Sequence, residues 1–127
     1  VIRKIHEANL SGANEINIWG DGSARREFMY AEDLSDFIFY AITKFDKMPQ
    51  NINVGLGYDY SINDYYSEIA KVLDYKGSFS HDLTKPIGMK QKLNNNTKQK
   101  EFGWKHKTTL KEGLIKTYKF YLENYGI

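Results

Sequence analysis

Every extended stretch that this sequence permits is short, and that limits the chain more than any other feature. Ile16-Asn17-Ile18-Trp19 alternates as a strand and runs into the turn cluster Gly20-Asp21-Gly22-Ser23. Glu27 to Tyr30 reads as a second extended piece. Ile52-Asn53-Val54-Gly55 reads as a third, closed by Gly55 and Gly57, and Ser78 to Ser80 as a weak fourth. Four such pieces cannot build a long buried sheet, so the bulk of any core has to come from helices.

Helical periodicity supplies them. Ile2, Ile5 and Asn9 mark a helix that Gly12 stops. Leu34, Phe37, Ile38, Ala41, Ile42 and Phe45 recur at helical spacing behind Glu32-Asp33, whose charge suits the positive end of a helix, and Pro49 follows the end. Ser61-Ile62-Asn63-Asp64 is a capping box that opens the stripe Ile62, Tyr65, Tyr66, Ile69, Ala70 and Leu73. Thr97 to Phe102 is a short helix ended by Gly103. Thr109-Leu110-Lys111-Glu112 is a second capping box, opening a last helix through Leu114, Thr117, Tyr118, Tyr121 and Leu122. The expectation is an α/β lobe of about five helices with short strands, occupying residues 1–127 as one unit.

Composition narrows the partners. Eighteen basic against sixteen acidic residues leave a net charge of +2, which gives no general nucleic-acid or membrane footprint. The basic residues are uneven: Lys85, Lys90, Lys92, Lys98, Lys100, Lys105 and Lys107 face a single acid, Glu101, over that stretch. Such a run is either a solvated face or the flank of a phosphate-bearing ligand. The absence of cysteine excludes disulfides and thiolate chemistry. No apolar stretch approaches the roughly 20 residues that span a bilayer, so a cytoplasmic protein is expected. The chain opens at Val1 inside a helical pattern and reads as part of something longer.

Catalytic groups are hard to assemble. His6, His81 and His106 are scattered and lack metal-ligand spacing, so no metal is expected. Asp21 with Glu27, and Asp33 with Asp36, could pair as carboxylates, but capping and solvation account for them. Gly55-Leu56-Gly57 is followed by Tyr60 rather than a third glycine, and the next helix begins only at Ser61, so it is not a dinucleotide loop. The informative block is Trp19 to Phe28. A strand carries a ring to its end, glycines let the backbone pass close to a neighbour, and Arg25-Arg26 follows. The plane suits a purine or sugar face, and the guanidinium fork suits a diphosphate. The same block also reads as a hairpin with a core tryptophan and two surface arginines.

From Trp19-Gly20-Asp21-Gly22 through Arg25-Arg26-Glu27-Phe28-Met29-Tyr30-Ala31-Glu32-Asp33-Leu34, the sequence resembles the W-G-x-G…R-[EQ]-F-[IL]-[YH]-x-x-D-[LM] segment of extended short-chain dehydrogenase/reductases acting on nucleotide sugars. Ile52-Asn53-Val54-Gly55, Tyr75-Lys76-Gly77, Lys85-Pro86-Ile87-Gly88-Met89-Lys90-Gln91-Lys92 and Phe102-Gly103-Trp104 resemble further motifs of that family in the same order. The set covers essentially the whole chain and is most like the GDP-sugar epimerase/reductases.

The resemblance implies the carboxy-terminal, substrate-binding lobe of such an enzyme. The Rossmann half, with NADP(H) and the catalytic residues, would lie outside this chain, which alone would be inactive and bind no cofactor. The substrate is a nucleotide-diphosphate sugar, a GDP-sugar first, and the parent a homodimer. By motif position, Lys4 reaches the nucleotide, Trp19 lines the substrate pocket, Arg26 holds the diphosphate and Lys92 closes the basic loop. Ile87 stands where the family has aspartate and Gln91 where it often has arginine, so a fucose, heptose, colitose or other deoxysugar nucleotide all fit. A related 4-epimerase or 4,6-dehydratase, and a non-catalytic carbohydrate-binding module, are the other readings.

Overall fold

A computed structural model describes residues 1–125. The elements follow as α1 (Ile2–Ser11), β1 (Glu15–Trp19), β2 (Arg25–Arg26), α2 (Ala31–Thr43), β3 (Tyr60–Ser61), α3 (Ile62–Val72), β4 (Ser78–Asp82), β5 (Gln91–Lys92), α4 (Thr97–Phe102) and α5 (Leu110–Tyr125), with one 3-10 turn at Phe45–Lys47. Five helices with short strands is the architecture expected from the periodicity.

The main core forms where α1, β1, α3 and α5 meet. Ile5 and Ala8 of α1, Ile16 and Ile18 of β1, Tyr66 and Ile69 of α3, and Leu110 and Leu114 of α5 bury one another, with Leu73 and Tyr75 beside them. Strict alternation on β1 sends Ile16 and Ile18 inward and leaves Asn17 and Trp19 on the opposite, open face. β4 lies parallel to β1 in register from Glu15↔Ser78 to Trp19↔Asp82, two residues beyond the strand end read from the sequence. Both capping boxes form. Ser61 Oγ accepts from the Asp64 amide at 3.0 Å while Asp64 accepts from the Ser61 amide, and Thr109 and Glu112 repeat the exchange at α5. Gly12 and Gly103 end α1 and α4 in the left-handed conformation.

Three expectations change. The second extended piece forms its ladder at Arg25–Arg26, not at Glu27 to Tyr30. Beyond Arg26 the neighbouring backbone bonds to a side chain instead: Glu27 accepts from the amides of Gly57 and Asn94 at 2.9 and 3.0 Å, and the Phe28 ring stacks on Tyr65 at 3.7 Å. Ile52 to Gly55 is not a strand, having no ladder partner among the described residues. The amide of Gln99, fully buried, serves Gly55 in place of a strand, accepting from its N–H at 2.8 Å and donating to its carbonyl at 3.0 Å.

The third change is on α2. Of its expected stripe only Phe37 and Ala41 are buried, in a smaller cluster with Trp104, whereas Leu34, Ile38, Ile42 and Phe45 are exposed. Asp33, in the first turn, is itself buried. Its carboxylate accepts from the amides of Lys107 and Thr108 and the Thr108 hydroxyl, which fastens the approach to α5 onto α2.

Candidate functional site

The turn after β1 is held by the protein itself. Asp21 accepts from the amide and hydroxyl of Ser23, and those two bonds hold its carboxyl below the usual carboxylate range. The Asn63 amide group, at the start of α3, donates to the Asp21 carbonyl at 3.1 Å, and the Asn63 backbone N–H donates to Gly22. Gly22 has φ +70°, and a Cβ there would fall 1.9 Å from Asn63 Oδ1, so the close neighbour that the glycine admits is this side chain. The loop that joins β4 to β5 then crosses the turn, with Ile87 3.3 Å from where a Gly20 Cβ would stand.

That loop connects three of the four residues singled out from the sequence. Trp19 is 67% exposed at the end of β1, so the core-tryptophan reading of the block is wrong; Trp104 is the buried one. Lys85, from the loop, places its ammonium 5.5 Å from the centre of the Trp19 ring. Arg26 lies in register with Lys92 across the parallel β2–β5 pair. Nη1 of Arg26 donates to the carbonyls of Arg25 and Met89 at 2.6 and 2.8 Å, which leaves Nε and Nη2 without a protein acceptor among the described residues. Lys92 is exposed and has no ion-pair partner among the described residues. Lys4 stands apart from the loop: its ammonium caps the Asn17 carbonyl, two residues before Trp19.

The basic run divides by position. Lys85 and Lys92 belong to the loop beside Trp19 and Arg26, whereas Lys98 bonds Asn51 and Lys107 pairs with Asp36 at 2.8 Å. The carboxylates considered as pairs each serve a separate structural bond. Asp36 accepts from Lys107 and from the Trp104 indole, which together hold its carboxyl below the usual range. His6 bonds Tyr118, His81 bonds Asn63 and His106 bonds Tyr58, so the histidines remain dispersed.

Two acidic residues around the loop were not legible as functional. Asp59, its side chain 5% exposed, accepts from Arg25 Nε at 2.6 Å and from the Gln91 amide at 2.5 Å. The Gln91 and Arg25 bonds hold its carboxyl below the usual range. Glu27 ties the Gly57 amide to the Asn94 amide. Glu27 stood out in the sequence only as a possible carboxylate partner of Asp21 and as part of the motif beside Arg26; Asp59 is more than thirty residues away and had no local signal.

Dinucleotide binding finds no fit in Gly55-Leu56-Gly57. Gln99 occupies both polar groups of Gly55, Glu27 takes the Gly57 amide, and Asp64 sets a negative charge on the first turn of α3. The Gly55 and Gly57 N–H groups are thus already taken and the first turn of α3 carries a carboxylate, both of which disfavour a pyrophosphate at this loop.

Trp19, Arg26 and Lys92 are thus linked through the loop between β4 and β5, by Lys85 beside the ring, Met89 on the guanidinium and the β2–β5 register. The model of the NAD dependent epimerase/dehydratase family matches residues 1–55. Over 122 residues the chain is 60% identical to the GDP-L-colitose synthase of Yersinia pseudotuberculosis and 41% identical to the GDP-L-fucose synthase of Azorhizobium caulinodans. Each match covers 96% of this chain, and 40% and 39% of those relatives. Among solved structures, the GDP-mannoheptose C4 reductase of Campylobacter jejuni with NADP bound matches at a TM-score of 0.78 and 30% identity, over 94% of this chain and 42% of that one. The similarity of the chain lies with the NAD-dependent epimerase/dehydratase family, in the branch of the extended short-chain dehydrogenase/reductases, and its fold is that of their carboxy-terminal lobe. The chain spans about two-fifths of the length of the curated relatives it matches.

Proposed function

We propose that this chain is the substrate-gripping lobe of an NADP-dependent epimerase/reductase that acts on a GDP-linked deoxysugar. The observation that carries the reading is the joint placement of Trp19, Arg26 and Lys92 around one loop, in a chain so similar to two GDP-sugar synthases. Arg26 offers Nε and Nη2 to a diphosphate as charge-assisted donors, with its third nitrogen anchored on Met89 and the fork thereby oriented. Lys92, its neighbour in register, adds a second fixed cation. Trp19 supplies an open ring face for the base or the sugar, and Lys4 extends the positive edge toward the nucleotide.

NADP(H) would supply hydride chemistry in the parent enzyme, and its binding groups would come from outside the residues described. The Gly55-Leu56-Gly57 pair considered as such a loop is internally bonded. The parent is then a cytoplasmic homodimer, and this lobe by itself is inactive.

Calorimetric titration with GDP-mannose and with GDP tests the grip. Arg26→Ala should weaken GDP binding by roughly ten- to a hundredfold, the loss of one or two charge-assisted bonds. Equal heats from the variant and the unaltered protein would rule out Arg26 as a diphosphate ligand.

A further inference from the structure

The strands that carry Arg26 and Lys92 are two residues long, and such a pair is too short to hold its own register. β2 and β5 run parallel over only two register pairs, and the Arg25 amide donates to the Lys90 carbonyl at 2.8 Å beside them. Asp59 lies on neither strand. It immediately precedes β3, on the far side of β2 from β5, in a sheet ordered β3-β2-β5. From there its carboxylate reaches Arg25 of β2 and Gln91 of β5, while its own backbone carbonyl accepts from Arg25 Nη2 at 3.0 Å.

Arg25 and Gln91 are register partners, and so are Arg26 and Lys92. Alternation puts the first pair on one side of the sheet and the second on the other. A carboxylate that bonds both members of the first pair thereby sets the spacing of the second, without approaching whatever those two cations bind. We infer that Asp59 is a positioning residue, a clip across three short strands that keeps Arg26 and Lys92 in register for a diphosphate. The charge matters, because one carboxylate accepts from a guanidinium and an amide at once, whereas an amide side chain in its place has a single acceptor oxygen for the two donors.

The inference rests on the nucleotide-sugar reading, and two measurements on the full-length protein keep them separable. Hydrogen exchange reads whether Asp59 holds β5, and calorimetric titration with GDP reads whether that hold serves binding. Asp59→Ala should speed exchange of the amides at 91–93 roughly tenfold and weaken GDP binding by about the same factor, with the α3 amides around Ile69 unchanged. Asp59→Asn, which keeps the shape and one acceptor oxygen, should fall between. Should Asp59→Ala loosen α3 as well, Gln91→Leu takes its place: it cuts only the β5 half and leaves Arg25 paired, and it should loosen 91–93 alone. Unchanged exchange at 91–93 in both variants overturns the clip. Faster exchange with unchanged GDP affinity overturns its role in binding. A failure of the unaltered protein to bind GDP refutes the nucleotide reading instead, and the exchange data then decide the clip by themselves.

Discussion

Helices α2 and α3 carry apolar stripes of similar period, and the protein treats them differently. α3 starts from a closed capping box and packs its stripe against α1, β1 and α5, with Ile69 fully buried. α2 starts at Tyr30 with no side-chain cap, buries Phe37 and Ala41 under Trp104, and leaves Leu34, Ile38, Ile42 and Phe45 open. Periodicity determines that a helix forms and which residues share a side. It does not determine that a partner covers that side, because the cover comes from elements distant in sequence. The residues that Asp59 and Glu27 tie together illustrate the same point among polar groups.

The sharpest way to break this contrast is truncation of the two stripes. Ile69→Ala removes a fully buried side chain and leaves a cavity, so urea denaturation should show a loss of about 2–5 kcal/mol. A loss below about 1 kcal/mol would mean that α3 is not the packed member of the pair.

Acid should act on the capped helix next. The Ser61 hydroxyl and amide hold the Asp64 carboxyl below its usual value. A carboxyl with a lowered folded value contributes stability that is fully present above its unfolded value, near 4, and is lost as pH falls through the folded one. The folding midpoint should therefore be level from pH 7 to 5 and fall below about pH 4, and Asp64→Asn should show a shallower fall. The same slope in both proteins would separate the capping box from acid sensitivity.

The smallest effect belongs to the open stripe. Ile42, 67% exposed, should tolerate Ile42→Ser within about 0.5 kcal/mol in this chain, as surface substitutions do. A cost close to that of Ile69→Ala would show that something covers α2 in solution.

Much of the fold was legible. Both capping boxes, the glycine stops at Gly12 and Gly103 and the alternation of β1 are encoded by residues within a few positions of one another, so local chemistry suffices to place them. The site was legible in its parts: ring, fork and basic loop stand in the sequence as types. Their arrangement was not. That Lys85 covers Trp19, that Met89 orients Arg26 and that Lys98 and Lys107 belong elsewhere follows from how the loop between β4 and β5 folds back over the Gly20 turn.

The sequence by itself determined the five helices, the shortness of the strands and the absence of a glycine-rich dinucleotide loop, since each depends on backbone preferences and spacing along the chain. Tertiary structure decided which extended pieces became strands, which side of α2 was covered and which acids bonded whom. Gly55 takes a glutamine in place of a strand, and Arg25 and Gln91 share Asp59, because hydrogen-bonding groups shielded from water must find partners wherever the folded chain brings them.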